Sequence, residues 1–235
     1  VVDQQQSRFH DVFGDWRPQR MPLTKVAAPC LQGVLAQRVV SGARVMAEKI
    51  LAFAGSLRSG SFNRQLVRIA AEGARASGAL VTEIDLREMP MPLYDADIER
   101  EHGLPANAKL FKRLLVEHQG LLISSPEYNN GMTAVLKNAI DWASRLEAPE
   151  PSHVAFKGKV AGLMSASPGN FGGVRSLAML RAILSYLGVV VVPAQLSLAR
   201  ANTAFDAHGN LHDEVQVKTA RGIGAEVVDF VRKLG

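Results

Sequence analysis

The chain has 235 residues, 47% hydrophobic and 21% charged, with a net charge of +5, long enough to bury a full core. No apolar run is long enough to cross a bilayer as a helix, and Lys and Arg are scattered without interleaved aromatics, so neither a membrane nor a nucleic-acid partner is expected. A single cysteine, Cys30, excludes an internal disulfide, a cysteine-ligated metal and a dithiol redox centre, so any redox chemistry needs a bound cofactor.

The first 45 residues carry six Lys/Arg against three acids and so hold three of the five net positive charges. Pro18, Pro22 and Pro29 stand among polar residues with no steady periodicity. Residues 1–48 therefore read as a poorly organised N-terminal extension, with an arm that wraps a partner subunit as the rival reading. Met46 stands just before the first convincing strand, which leaves open a natural start there. The absence of a basic segment followed by an apolar signal core makes a cytoplasmic protein the default expectation.

Residues 49–235 read as one domain of alternating strands and helices. The strand Lys49 to Ala54 precedes a helix from Phe62 to Ala76, and a second strand runs from Leu80 to Asp85. Met89 to Pro105 is rich in proline and reads as irregular. Asn107 to Glu117 is a helix, and Gly120 to Ser124 is a continuous apolar strand of the buried parallel kind. After the loop Ser125 to Gly131 a helix is expected over Thr133 to Arg145, then a strand over Lys159 to Met164. The small-residue loop Ser165 to Gly173 leads into a helix over Val174 to Leu187, and a short strand Val189 to Val192 is the fifth. The last helix is expected over Val215 to Lys233.

Such alternation implies an α/β fold with a parallel sheet covered on both faces, because right-handed crossovers place the helices there. Five strands suggest a flavodoxin-like three-layer sandwich with strand order 2-1-3-4-5. Ligands then bind at the carboxyl ends of strands 1 and 3, where the chain reverses direction across the sheet. The two most unusual loops follow those two strands, and the third, after strand 4, lies beside them.

The first loop reads G-S-L-R-S-G-S-F-N from Gly55 to Asn63. A strand feeding a Gly- and hydroxyl-rich loop that opens a helix aims backbone N–H groups and the positive helix end at one point, where a phosphate fits. Ser56, Ser61 and Asn63 can donate hydrogen bonds, and Arg58 adds a charge-assisted one. The alternative is an ordinary connection whose polar residues cap the helix. Neither G-x-x-x-x-G-K-[ST] nor G-x-G-x-x-G is present, so a nucleoside triphosphatase or a dinucleotide fold is not supported.

These residues, together with P-E-Y-N (Pro126 to Asn129) running into L-K-N-A-I-D-W (Leu136 to Trp142) and S-P-G-N-F-G-G (Ser167 to Gly173), resemble the NADPH-dependent FMN reductases, especially their quinone and chromate reductase branch. The resemblance covers about Ile50 to the C-terminus. It implies that Ser56 to Asn63, with Ser56, Arg58, Ser61, Phe62 and Asn63, holds the FMN phosphate. It implies that Pro126, Glu127, Tyr128 and Asn129 line the isoalloxazine ring, and that Ser167 and Gly172 border its other side. It also implies NADPH or NADH as co-substrate and a homodimer or homotetramer, using apolar positions near Met89 to Tyr94 and Leu136 to Trp142. The extension and the detail of A-S-P-G-N depart from the family pattern.

The expected activity is oxidation of NAD(P)H by a ping-pong mechanism with electrons passed to a quinone, free flavin, azo compound or oxidised metal anion. FMN carries the chemistry, and no side chain stands out as catalytic. Tyr128 either stacks at the opening or packs on its own loop, Glu127 reads as a structural or intersubunit partner, and Trp142 as core or interface. The six histidines are dispersed without metal spacing, so no metal is expected. Rival readings are a flavodoxin-type electron carrier that docks to protein partners and a non-enzymatic nucleotide-binding module.

Overall fold

A computed structural model describes residues 47–235. The expected extension, apart from Ala47 and Glu48, lies outside the described residues. Glu48 itself is tied into the domain: its backbone oxygen accepts from Leu80 at 2.8 Å and its carboxylate pairs with Arg232 at 2.9 Å.

The elements in chain order are β1 (Lys49–Ala54), α1 (Phe62–Ala76), β2 (Leu80–Asp85), a 3-10 turn (Leu86–Glu88), α2 (Ala96–His102), α3 (Ala106–Glu117), β3 (Gly120–Ser124), β4 (Glu127–Tyr128), β5 (Gly131–Met132), α4 (Ala134–Ala143), β6 (Val160–Ala166), α5 (Val174–Tyr186), β7 (Val190–Leu198), α6 (Ala201–Ala204) and α7 (Glu214–Leu234). The main sheet is parallel, in the order β2-β1-β3-β6-β7, which is the expected 2-1-3-4-5 pattern of a flavodoxin-like sandwich.

The central strands are mostly apolar and buried because both faces are covered. Along β1, Ile50 and Ala52 face α1 and α7, packing with Leu66, Ala70, Val227 and Val231. Leu51 and Phe53 face the other way, toward Phe111 and Leu115 of α3, Leu136 and Ile140 of α4, and Leu180 of α5. Helices α1 and α7 approach so closely that a Cβ on Gly73 would overlap the Arg221 carbonyl, and one on Gly224 the Ala70 carbonyl.

Two expected elements differ. The fifth strand runs on to Leu198, past Pro193, because it is an edge strand and a register shift between Ala161 and Leu163 absorbs the residues around that proline. The stretch expected to be irregular contains α2, a short helix capped by Asp95 and with no buried residue, so no apolar periodicity announces it. The preceding strap closes over α4. Trp142 Nε1 and Asn138 Nδ2 each donate to the Pro92 carbonyl at 2.8 Å, and Tyr94 packs edge-on against Trp142 at 5.0 Å. Trp142 is fully buried within the chain, so of its two expected roles it takes the core one.

Candidate functional site

Three loops meet at the carboxyl ends of β1, β3 and β6, and the first is built to present donors. Gly55 N donates to the Ser124 carbonyl at 2.9 Å, which seats the start of the loop beside β3. Ser61 caps α1 by accepting from Arg64 N, so the helix begins where the sequence places it. Of the backbone N–H groups from Ser56 to Asn63, only that of Arg58 meets an acceptor among the described residues, the Ser56 hydroxyl at 3.4 Å. Leu57 to Gly60 are exposed, and a Cβ on Gly60 would meet nothing within 4 Å. A row of unpaired N–H groups at a helix N-terminus, open to solvent, is a receptor for an anion.

The loop is braced from behind. The Asn63 amide is buried: it donates to the Ala166 carbonyl at 2.8 Å and accepts from Ser124 Oγ at 2.8 Å and Ala166 N at 2.9 Å. Its side chain therefore ties α1 to the ends of β3 and β6. Arg64 donates to the Arg58 carbonyl at 2.9 Å and to the Ser59 carbonyl, and its other nitrogen pairs with Asp85 at the end of β2. Asp85 also accepts from Arg87 Nη2 at 2.7 Å. Burial raises the Asp85 pKa, but the hydrogen bonds from Arg87 and the Arg64 charge outweigh it, and the carboxyl lies below its usual range.

Arg58 has no ion-pair partner among the described residues; its guanidinium lies over the Phe62 ring, 4.5 Å from the centroid. Phe62 in turn stacks on Phe205 with the rings nearly parallel, 5.8 Å apart. Phe205 is a neighbour of the loop that no local pattern identifies, since it sits 143 positions downstream of Phe62 in an irregular segment.

The second loop is a tight hairpin. Tyr128 pairs with Gly131 across Asn129 and Asn130, both at positive φ (50° and 67°), the geometry of the two-residue turn that suits the sheet's own twist. This leaves Tyr128 exposed over more than half its surface and Asn129 exposed at the tip. Pro126 is buried at the hairpin's base. Glu127 turns inward: its carboxylate accepts from Arg175 N at 3.0 Å, Ser176 N at 3.2 Å and Arg175 Nε at 2.8 Å. Burial raises its pKa, but Arg175 and the two helix N–H groups outweigh that and hold it below the usual carboxylate value. Glu127 is therefore a structural partner within the chain, and an ionised one.

In the third loop Ser167 N donates to the Leu198 carbonyl at 3.0 Å and its hydroxyl accepts from Gly169 N at 3.2 Å. Gly172 and Gly173 are buried at positive φ (59° and 84°); a Cβ on the first would press on Ser197 and Ala199, and one on the second would overlap Ser165 Oγ. The N–H groups from Asn170 to Gly173 find no acceptor among the described residues. Ser165 Oγ, beneath them, is buried and has no partner among the described residues. A cavity of about 290 Å³ opens between the first loop and the hairpin, bordered by Ser56, Arg58, Tyr128 and Thr133.

The residues present fit FMN: a nest of N–H groups and a free guanidinium for the phosphate, and two small-residue or turn loops with unpaired donors for a flat polar-edged ring. The structure brings Ser56, Arg58, Ser61, Phe62, Pro126, Tyr128, Asn129, Ser167 and Gly172 to this one end of the sheet. Asn63 and Glu127 stand there too, but their side chains are committed to the protein. Among the described residues no group of acids, histidines or cysteines could hold a metal ion.

Residues 48–203 match the family model for NADPH-dependent FMN reductase. An NAD(P)H-dependent FMN reductase of Pseudomonas aeruginosa is 38% identical over 167 residues, 71% of this chain and 85% of that protein. An NADPH:quinone oxidoreductase of Arabidopsis thaliana is 34% identical over 191 residues, 79% of this chain and 93% of its own length. Among solved structures, the flavoenzyme NAD(P)H:(acceptor) oxidoreductase of Paracoccus denitrificans superposes with a TM-score of 0.68 at 27% identity, covering 80% of this chain and all of that one.

Proposed function

The chain belongs to the NADPH-dependent FMN reductase family, and from that membership we propose that it oxidises NAD(P)H and passes the electrons to a quinone by a ping-pong mechanism, with free flavin, azo compounds and oxidised metal anions as further acceptors. It is an oxidoreductase with FMN as cofactor and NAD(P)H as electron donor. The observation that carries the reading at the site is the run of N–H groups from Ser56 to Asn63, all but that of Arg58 without an acceptor among the described residues. Bound FMN supplies a two-electron carrier: NAD(P)H, a proton and a quinone become NAD(P)⁺ and a hydroquinone.

The protein's share is positioning. Unpaired N–H groups and Arg58 hold the phosphate, Asn63, Arg64 and Asp85 keep that loop in shape, and the Tyr128 hairpin and Gly172 loop bound the ring. Glu127 is ionised and held by Arg175, so it serves as a brace and moves no proton.

A homodimer or homotetramer is part of the same reading. Its expected contacts are the apolar positions near Met89 to Tyr94 and Leu136 to Trp142; Trp142 is buried within the chain, and exposed apolar side chains among the described residues include Leu93 on the strap and Tyr128, Phe171, Met179 and Tyr186 around the hairpin and α5. Sedimentation as a monomer at micromolar concentration would count against it. A cytoplasmic location remains the proposal; among the described residues no helix is long and apolar enough to cross a membrane.

The deciding experiment is the absorption spectrum of purified protein. Flavin absorbance should be present, bleach with stoichiometric NADPH under anaerobic conditions, and return when quinone is added. A carrier would stay oxidised with NADPH alone, and a non-enzymatic module would carry no flavin.

A further inference from the structure

We infer that the cavity floored by Leu86, Met89 and Ala139 is a subsite for the hydrocarbon chain of a substituted quinone. The inference rests on the quinone-reductase reading and narrows its substrate to quinones with an apolar tail. This cavity holds about 260 Å³ and adjoins the one bordered by Ser56, Arg58 and Tyr128, sharing Leu57 and Val135 with it. The two form one path from the FMN loops down to the strap.

The two compartments differ in chemistry. The outer one has the Ser56 hydroxyl, the free Arg58 guanidinium and the exposed Tyr128 hydroxyl. The inner one is walled by Leu57, Met89, Met91, Val135 and Ala139, and its two polar side chains, Arg87 and Asn138, each hold partners elsewhere in the chain. Arg87 donates to Asp85 at 2.7 and 2.9 Å. Asn138 accepts from Tyr94 N and donates to the Pro92 carbonyl, both at 2.8 Å. A polar group entering this mostly apolar lining would exchange water for few partners, whereas methylenes would lose only contact with water. At about 30 Å³ for each group of water's size, the space takes roughly eight to nine methylenes.

Leu57 marks the boundary. It is half exposed, at 51%, on a loop otherwise made of polar and small residues, and it lines both cavities. Leu86, Met89 and Ala139 beneath are buried, so the floor is preformed. A quinone ring held beside the FMN loops would extend a tail over Leu57 toward Met91.

The test uses FMN-loaded protein and a methoxy-substituted benzoquinone with and without a decyl chain. The chained quinone should bind oxidised enzyme at least about tenfold tighter in equilibrium dialysis and show a matching gain in kcat/KM. Met91→Asp should abolish that gain while leaving the unchained quinone and FMN affinity unchanged, and Met91→Leu should retain it. If Met91→Asp fails to fold, Met91→Ser must reduce the gain.

Equal affinity for the two quinones overturns the inference and leaves the quinone reading intact. Failure of both quinones to reoxidise the reduced enzyme overturns both. Equal weakening of both quinones by Met91→Asp shows a structural role for Met91 and overturns the subsite, as does a chain-independent enzyme whose dimer is lost on Met91→Asp, which assigns the cavity to a second copy.

Discussion

Glu127 and Arg175 stand 48 positions apart in the chain, yet the carboxylate of the one closes the N-terminus of the helix that carries the other. Gly173, the residue before α5, has no side chain with which to cap it, and Glu127 reaches across from the hairpin to accept from Arg175 N and Ser176 N. The hairpin and the third loop are thus joined through one carboxylate at the mouth of the site.

Glu127→Ala should destabilise the protein by about 2 kcal/mol, since it leaves two helix N–H groups and a guanidinium without their acceptor. Arg175→Ala should cost less, because Arg175 is half exposed and the backbone bonds remain. The Glu127 contribution has a defined pH dependence. Its folded pKa lies below the ordinary 4.5, so the stabilisation is complete above that value and fades as the pH falls through the lowered one. Urea denaturation of wild type and Glu127→Ala between pH 3 and 7 should show the two curves converging at the acid end.

What the sequence discloses of this molecule follows from where periodicity is strong. The apolar run of β1, the Gly/Ser loop and the capped α1 fall where expected, because a strand buried on both faces and a Ser-capped amphipathic helix each leave a local mark. The Tyr128 hairpin leaves none, as its strands are two residues long, too short to alternate. The continuation of β7 past Pro193 is invisible because proline ordinarily ends a strand, and only the edge position and the register shift admit it. The sequence puts the candidate residues on three loops, and the structure brings those loops to one end of the sheet, but which of their side chains point outward is not written locally. Whether Asn63 faces a ligand or the strand ends depends on Ala166, 103 positions away.

Arg58→Ala should weaken FMN about 10- to 150-fold, the range for a hydrogen bond to a charged group, measured by quenching of flavin fluorescence. Riboflavin, which lacks the phosphate, should change far less. Equal losses for the two ligands would mean that Arg58, through its contact with Phe62, supports the loop rather than reading the phosphate.

Asp85→Asn should loosen the same loop from behind. It removes the charge that holds Arg64, whose other contacts are the Arg58 and Ser59 carbonyls. FMN affinity should drop about tenfold, roughly one charge-assisted hydrogen bond, while kcat at saturating FMN stays unchanged. A fall in kcat with unaltered affinity would place Asp85 in turnover and contradict this account.

Lys159 tests the far end of the sheet. It is buried just before β6, and its ammonium donates to the His118 carbonyl at 2.6 Å. Burial lowers its pKa from 10.5 to about 8. The folded state therefore binds fewer protons than the unfolded one between those values, and stability from this group rises with pH across that window. The full rise is on the order of 3 kcal/mol at 1.36 kcal/mol per unit. Lys159→Met should remove it, so the stability difference between wild type and variant should grow in favour of wild type from pH 8 to pH 10. A pH-independent difference would refute the assignment.

The last prediction concerns the order of events at the cleft. The first loop, the hairpin and the Gly172 loop converge on one end of the sheet, and the sequence carries no second nucleotide fingerprint. If NAD(P)H and the acceptor must each approach the same open side of the site, the two cannot be bound productively at once, and NAD(P)⁺ must leave before the quinone enters. Initial rates measured over a grid of both concentrations should then give parallel double-reciprocal lines. Excess quinone should compete with NAD(P)H for the oxidised enzyme, with an inhibition constant equal to the dissociation constant found by equilibrium dialysis. Leu57→Ala, which widens the rim shared by the two cavities, should alter the quinone's KM more than that of NAD(P)H. Intersecting lines would require a ternary complex, and with it an acceptor position that leaves the nucleotide's place free.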